Sequence, residues 1–349
     1  MSIELISMVT FLLFITGILM IDLVLVGRKV HIISTKEAVV WSIVWISLGL
    51  SFYFVLFYFG HLLHGITDEK KLLDIVALYN PYLEFKTNSF ELMLKEYRAA
   101  QAINYLSGYF IEKTLSIDNI FVMMMILTGF SVPQKDYKLI LFWGIFGAII
   151  LRFVFIFAGV AIIHRFEWVL FLFGGFLLFQ GLKLLFEKEK QSKNPKDSKV
   201  VKWISGHINL TTEYGQDNFW LRENGKLVFT PLFLVLIMIE FSDLIFAFDS
   251  IPAIFAVSRD PYIVFFSNVF AILGLRSLFF LLANLVNKFR FLKPGIAMLL
   301  VFVGVKLLLH KNLKALGFQP EYSLYFIAAV LVISILLSLI FPKKEIPAN

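Results

Sequence analysis

The sequence predicts an all-α, polytopic membrane helix bundle of about nine transmembrane helices, containing an inverted repeat of three helices plus three helices. Three observations predict it. Apolar residues make up 59% of 349 and charged residues only 16%, with a mean hydropathy of +0.82. Apolar stretches long enough to cross the hydrocarbon core recur along the whole length. Two of those stretches carry carboxylates at matching positions, where a lipid-facing helix tolerates none. An ionised group at the bilayer centre costs about 2.5 to 3.5 kcal/mol even on lenient insertion scales, so these acids must line a protected interior.

The first stretch, 4–26, lacks a basic leader and a small-x-small cleavage site, so it reads as a retained span rather than a signal peptide. With 38–60 it forms an N-terminal pair, residues 1–60. Residues 61–102 mix charge with apolar positions such as Leu72, Leu73, Ile75 and Val76. They read as an external helical insertion along the membrane surface. Spans 103–129, 138–163 and 168–186 make a first three-helix repeat, residues 103–186. The lysine-rich start of 187–228 reads as a solvated cytoplasmic loop. Spans 229–257, 261–286 and 294–310 make the second repeat, 229–310. Residues 311–349 supply a ninth helix, 322–341, and a short tail. Nothing in the pattern suggests strands. Lys and Arg favour one side of the membrane about two to one, which places the N-terminus outside and the C-terminus inside.

The formal charge of +7 does not point to nucleic acid, because the basic residues cluster at span ends. The chain has no cysteine, which excludes disulfides, thiolate ligands and thiol redox chemistry. Any bound metal must be held by oxygen or imidazole.

The repeat emerges when Asp118 is laid on Asp249. Glu112 then falls on Asp243, and Asn119 on Ser250. The next spans carry Arg152 in one half and Arg276 in the other; the third spans end Gly181-Leu-Lys183 and Gly304-Val-Lys306. An odd number of spans per half inverts the second relative to the first, the plan of many secondary transporters.

On a regular helix Glu112, Ser116 and Asn119 form one stripe, and Asp243, Ala247 and Ser250 its counterpart. Asp118 and Asp249 point to another face, so either both faces are buried or the helix breaks; Pro252 is placed to kink it near Asp249. Carboxylates with Asn119, Ser250 and Asn268 make a hard, all-oxygen environment suited to Mn²⁺, Ca²⁺ or Mg²⁺. The competing reading is that the acids only pair with Lys113, Arg152, Lys183, Arg276 and Lys306 to hold the bundle together. Glu240, three residues before Asp243, could share a proton or cation with it. Asp22 is either a mouth residue or an interfacial acid. His61 and His64 read as an incidental interfacial pair, and the run Met123-Met124-Met125 as core packing.

Gly108-Tyr-Phe-Ile-Glu112-Lys-Thr-Leu-Ser-Ile-Asp118-Asn119 resembles the signature of the TerC/Alx integral membrane proteins. So do Ile239-Glu240-Phe-Ser-Asp243-Leu-Ile-Phe-Ala-Phe-Asp249-Ser250-Ile-Pro252 and Ser267-Asn268-Val-Phe-Ala-Ile-Leu-Gly-Leu-Arg276. The inserted stretch from about 65 to 99 has no match in that pattern. The resemblance implies a member of a LysE-like exporter superfamily in the bacterial inner membrane, exporting Mn²⁺. Asp118, Asn119, Asp243 and Asp249 would stand near the metal. Glu112, Glu240, Ser250, Asn268, Arg152 and Arg276 would serve coupling or support.

The leading expectation is therefore a secondary transporter, not an enzyme, moving a divalent cation outward against protons. It would hold no permanent cofactor; its partners would be the lipid bilayer, the ion and protons, with no nucleic acid. The sequence leaves Mn²⁺ versus Ca²⁺ or Mg²⁺, the coupling ion and the oligomeric state open. The alternative is a membrane scaffold in tellurite or metal stress resistance that does not itself transport. A hydrolase is weaker, since no His-Glu-x-x-His motif is present.

Overall fold

The computed structural model describes residues 3–27, 34–81, 83–166, 168–186, 218–223, 226–283, 291–309 and 320–341, together with 211, 312, 313 and 318. In chain order the described helices are α1 (Ile3–Gly27), α2 (Thr35–Phe59), α3 (Glu69–Tyr79), α4 (Phe90–Gly129), α5 (Tyr137–Arg165) and α6 (Val169–Phe186). They continue with α7 (Pro231–Phe255), α8 (Pro261–Leu273), α9 (Leu275–Ala283), α10 (Leu292–Leu308) and α11 (Pro320–Ile340). The helical membrane bundle is thus observed. Among the described residues, six segments are apolar enough by length and composition to cross a membrane: those of α1, α2, α5, α7, α8 with α9, and α11. Helices α6 and α10 are apolar but shorter. Exposed apolar side chains such as Leu13 on α1 and Tyr325 and Ile340 on α11 suit a surface that faces lipid.

Helix α4 is the axis of the fold. Its 40 residues span about 60 Å at 1.5 Å per residue, roughly twice the hydrocarbon thickness. It therefore begins within 61–102 and continues past 102 without a break. Its early turns pack Met93 and Tyr97 against Ile66, Leu72 and Val76 around α3. Farther along it packs against α2, α7 and α8, while α5 lies on α7 and α8, and α6 pairs with α10.

Two small residues set the α6–α10 spacing. A β-carbon on Gly181 would stand 2.9 Å from the Ala297 carbonyl, and one on Gly304 would stand 2.8 Å from the Gly174 carbonyl. Only hydrogen at these positions lets the backbones come this close.

Two expectations are corrected and a third is refined. A strand pair is present: β1 (Trp220–Glu223) runs antiparallel to β2 (Lys226–Phe229), with Trp220 opposite Phe229. The sequence between them is Asn224-Gly225, the pair that favours two-residue hairpin turns. The expected span 261–286 is present as one apolar stretch, Pro261–Leu281, with a turn at Gly274 between α8 and α9. There Trp45 packs close to the backbone, and Lys113 Nζ donates to the Ala271 carbonyl at 3.0 Å, satisfying an acceptor that the interrupted helix leaves free. Finally, α7 remains helical past Asp249 and through Pro252, to Phe255. The lysine-rich run 187–199 lies outside the described residues.

Candidate functional site

The stripe expected on α4 and its counterpart on α7 face each other across a buried arginine. Arg152, on α5, is wholly buried, as are Glu112 and Asn268; Asn119, Asp243 and Ser250 are nearly so. Arg152 Nη1 donates to Glu112 Oε1 and Asn268 Oδ1, and at 3.4 Å to Ser250 Oγ. Nη2 donates to Asp243 Oδ1 at 3.1 Å. Asn119 Nδ2 adds a bond to Asp243 Oδ1 at 3.3 Å, and Ser116 Oγ one to Glu112 Oε1 at 3.1 Å. Helices α4, α5, α7 and α8 thus meet in one polar knot. The planar, permanently charged guanidinium suits it, because it can serve several acceptors at once.

The knot is not saturated. Glu112 Oε2, Asn119 Oδ1 and Asp243 Oδ2 are buried without a hydrogen-bond partner. One arginine against two carboxylates leaves an excess negative charge when both are ionised. Beside them lies a cavity of about 160 Å³ lined by Glu112, Asn119, Gln180, Lys183, Ser250 and neighbouring apolar residues. A water molecule takes about 30 Å³, so the space admits an ion with part of its hydration shell. Buried oxygens that only accept, beside a cavity, form a surface on which a hard cation or water satisfies what protein does not.

Glu240 stands one turn before Asp243, half-buried, with Oε2 lacking a partner. Its carboxyl rests on the backbone of α5 at Gly147, in the place a side chain there would fill. Asp118 and Asp249 occupy positions in α4 and α7 immediately before Asn119 and Ser250, but their side chains lie outside the described residues, as does that of Asp22. Among the described residues no three His, Cys, Asp or Glu side chains come close enough to hold a metal ion. Glu112 and Asp243 are instead ion-paired with Arg152. Arg276 lies on α9, which packs against α2, and its charge acts on Lys138 alongside that of Glu37. Lys306 lies over the Phe318 ring, 5.9 Å from its centre. Met123 is buried while Met125 is largely exposed, so the methionine run shares no common face.

A second polar cluster, which the sequence reading missed, sits where α3 and the start of α4 meet α8. His64 is wholly buried, with Nε2 2.9 Å from Asp260 Oδ2 and Nδ1 3.0 Å from Glu4 Oε1. Both ring nitrogens are committed to carboxylates, so His64 cannot share an ion with His61. Burial alone would lower the His64 pKa, but Asp260 and Glu4 together outweigh it and raise the value above 6.5. One signal was available: Asp260 before Pro261 is a helix-start pattern, and its carboxylate does cap α8. Its pairing with a histidine 196 residues away was not legible.

Known proteins with this sequence pattern are bacterial membrane proteins. A protein described as "Putative membrane-bound redox modulator Alx" from Salmonella typhi is 44% identical over 292 residues, covering 83% of this chain and 81% of its own. Its Escherichia coli K12 namesake is 42% identical over the same length. An uncharacterized membrane protein of Myxococcus xanthus is 39% identical over 330 residues, 95% of this chain and 91% of its own. No solved structure matches. The family model for integral membrane protein TerC matches residues 97–345, a range that holds the whole Arg152 knot. The chain belongs to the TerC family of integral membrane proteins.

Proposed function

We propose that this protein is a secondary transporter that exports a divalent cation, Mn²⁺ foremost, across the bacterial inner membrane. The carrying observation is the set of partnerless buried oxygens on Glu112, Asn119 and Asp243, the first two lining the cavity between α4, α6, α7 and α10. Asp118 and Asp249, next to two of the cavity's lining residues in sequence, would complete an oxygen shell. Arg152 would serve as the internal counter-charge: it holds Glu112 and Asp243 when the ion is absent, and its displacement exposes them when the ion binds. Glu240, resting against Gly147 within one turn of Asp243, is placed to carry the exchanged proton.

The reading assumes nine crossings with the N-terminus outside, and two halves related by a two-fold axis in the membrane plane. The α6–α10 contact supports that axis. The overlay that puts Gly181 on Gly304 puts Gly174 on Ala297. A two-fold exchanges the contact Gly181 to Ala297 with the contact Gly304 to Gly174, and both are found.

The relatives' printed description as redox modulators fits a metal-mediated effect better than thiol exchange, because this chain has no cysteine. The test is the metal content of cells lacking their own manganese efflux, expressing the protein or its Asp249→Asn variant. Lower cell Mn with the parent, restored in the variant at equal membrane abundance, is the expected result. Unchanged Mn, Ca and Mg in both would overturn export and favour the scaffold.

A further inference from the structure

Two backbone N–H groups and two side chains around Asp260 fix where the protons are. Asp260 Oδ1 accepts from the Tyr262 N–H at 3.0 Å and the Ile263 N–H at 3.5 Å. Oδ2 accepts from Gln101 Nε2 at 3.0 Å and faces His64 Nε2 at 2.9 Å. A carboxylate surrounded by donors is ionised, so Nε2 carries hydrogen. His64 Nδ1 then faces Glu4 Oε1 at 3.0 Å. A neutral imidazole nitrogen and an ionised carboxylate are both acceptors, and two acceptors do not meet at that distance without a proton between them. The trio therefore holds one proton more than a neutral histidine with two carboxylates.

Every group facing the ring favours that proton. Glu4 comes from α1, Asp260 and Tyr262 from the start of α8, Tyr79 from α3, and Tyr97 with Gln101 from α4. Tyr79 stacks on the imidazole at 5.1 Å, and Tyr262 meets it edge-on at 5.4 Å, an arrangement that suits a cationic ring. The nearby Arg98 acts on His61 instead. His64 is sealed from solvent, while Glu4 is one-third exposed, so protons reach the ring by way of Glu4.

We infer that His64, Glu4 and Asp260 form a proton-binding latch. With the proton bound, the imidazolium ties α1 and the segment after α2 to the first turn of α8. When the proton leaves, Nδ1 and Glu4 become two facing acceptors, the tie to α1 breaks, and this end of the bundle loosens. The latch responds to pH on the side that carries the inserted helix. Resting on the transport reading, it also reaches the ion site: α8 runs from Asp260 to Asn268, whose carbonyl oxygen holds Arg152, eight residues or about 12 Å along the helix. Loosening the start of α8 would then shift the partner that keeps Arg152 in place.

The test uses full-length protein in lipid nanodiscs. With ¹⁵N-labelled histidine, one ring should remain doubly protonated well above pH 6.5, and its signal should be missing from His64→Gln. Titration of that ring at or below pH 6.5 would overturn the proposal. The second readout uses Asn104→Cys, a buried position one turn past Gln101, which becomes the chain's single thiol. Its maleimide labelling rate, divided by that of a free cysteine peptide at each pH, should rise about tenfold as the ring deprotonates. In the His64→Gln background the rate should be high and flat. Equal, flat rates in both backgrounds would sink the latch. If His64→Gln does not fold, Glu4→Gln removes the carboxylate that holds the proton on Nδ1, at a position one-third exposed. Neither readout requires transport, so a failed transport assay leaves this test intact.

Discussion

The Arg152 knot and the His64 cluster solve the same physical problem with different cations. Each sets two carboxylates from distant parts of the chain against a single buried positive side chain. Arg152 never titrates and leaves three acceptor oxygens unsatisfied beside a cavity. His64 can titrate, and both its nitrogens and both Asp260 oxygens have partners. An unsaturated knot with a fixed cation beside a cavity suits an exchangeable ion; a titratable cation with both nitrogens paired suits a structural tie that protons control.

The sharpest way to break this comparison is to remove each cation in turn. Arg152→Gln leaves Glu112 and Asp243 buried without compensation, and breaking a buried pair in this way costs about 3 to 5 kcal/mol. Thermal unfolding in detergent should show it, and adding Asp243→Asn should recover part of the loss. A variant as stable as the parent would show that the knot does not hold the bundle.

The loss from His64→Gln should be smaller, about 1.5 to 3 kcal/mol for charge-assisted bonds, and it should depend on pH. The folded pKa lies above the unfolded value of about 6.5. The stabilisation is therefore fully present below pH ~6.5 and is lost as pH rises through the raised folded value. Unfolding curves of parent and variant should separate at pH 6 and converge in alkali. The Arg152→Gln deficit should stay constant over the same window. A pH-independent His64 deficit would erase the distinction between the regions.

What the sequence revealed follows the same division. The stripe Glu112, Ser116, Asn119 and its counterpart on α7 are local, set by helical spacing, and they do face the same knot. The reach of Arg152 across to both stripes is tertiary, and nothing in the spacing said that one guanidinium would join them. The division of α8 from α9 at Gly274 depends on Trp45 and Lys113 packing there, partners far away in the chain. The hairpin was local and legible in Asn224-Gly225, but the membrane pattern masked it. The His64 cluster joins residues 4, 64, 101 and 260, none remarkable in its own window.

Within the His64 cluster, Gln101→Leu separates capping from proton binding. It removes one of the donors to Asp260 and leaves the His64 and backbone donors, so the loss should be about 1 kcal/mol. The pH dependence of unfolding should survive. If that dependence disappears with Gln101, the proton is held by the wider hydrogen-bond network rather than by the trio.

The smallest effect on stability should come from Gly147→Ala, and it bears on the other region. The new methyl would occupy the place of the Glu240 carboxyl. The far end of a flexible side chain moves easily, at a cost of about 0.5 to 1.5 kcal/mol for a strained rotamer. Unfolding should hardly change, yet Glu240 would be turned away from its seat beside Asp243. If Glu240 carries a proton for the ion site, metal export should fall severalfold at unchanged membrane abundance, and Glu240→Gln should reproduce the loss. Gly147→Ala with full export would show that the seat of Glu240 is packing alone. The central region would then work through Arg152 and the paired stripes without a proton carrier on α7.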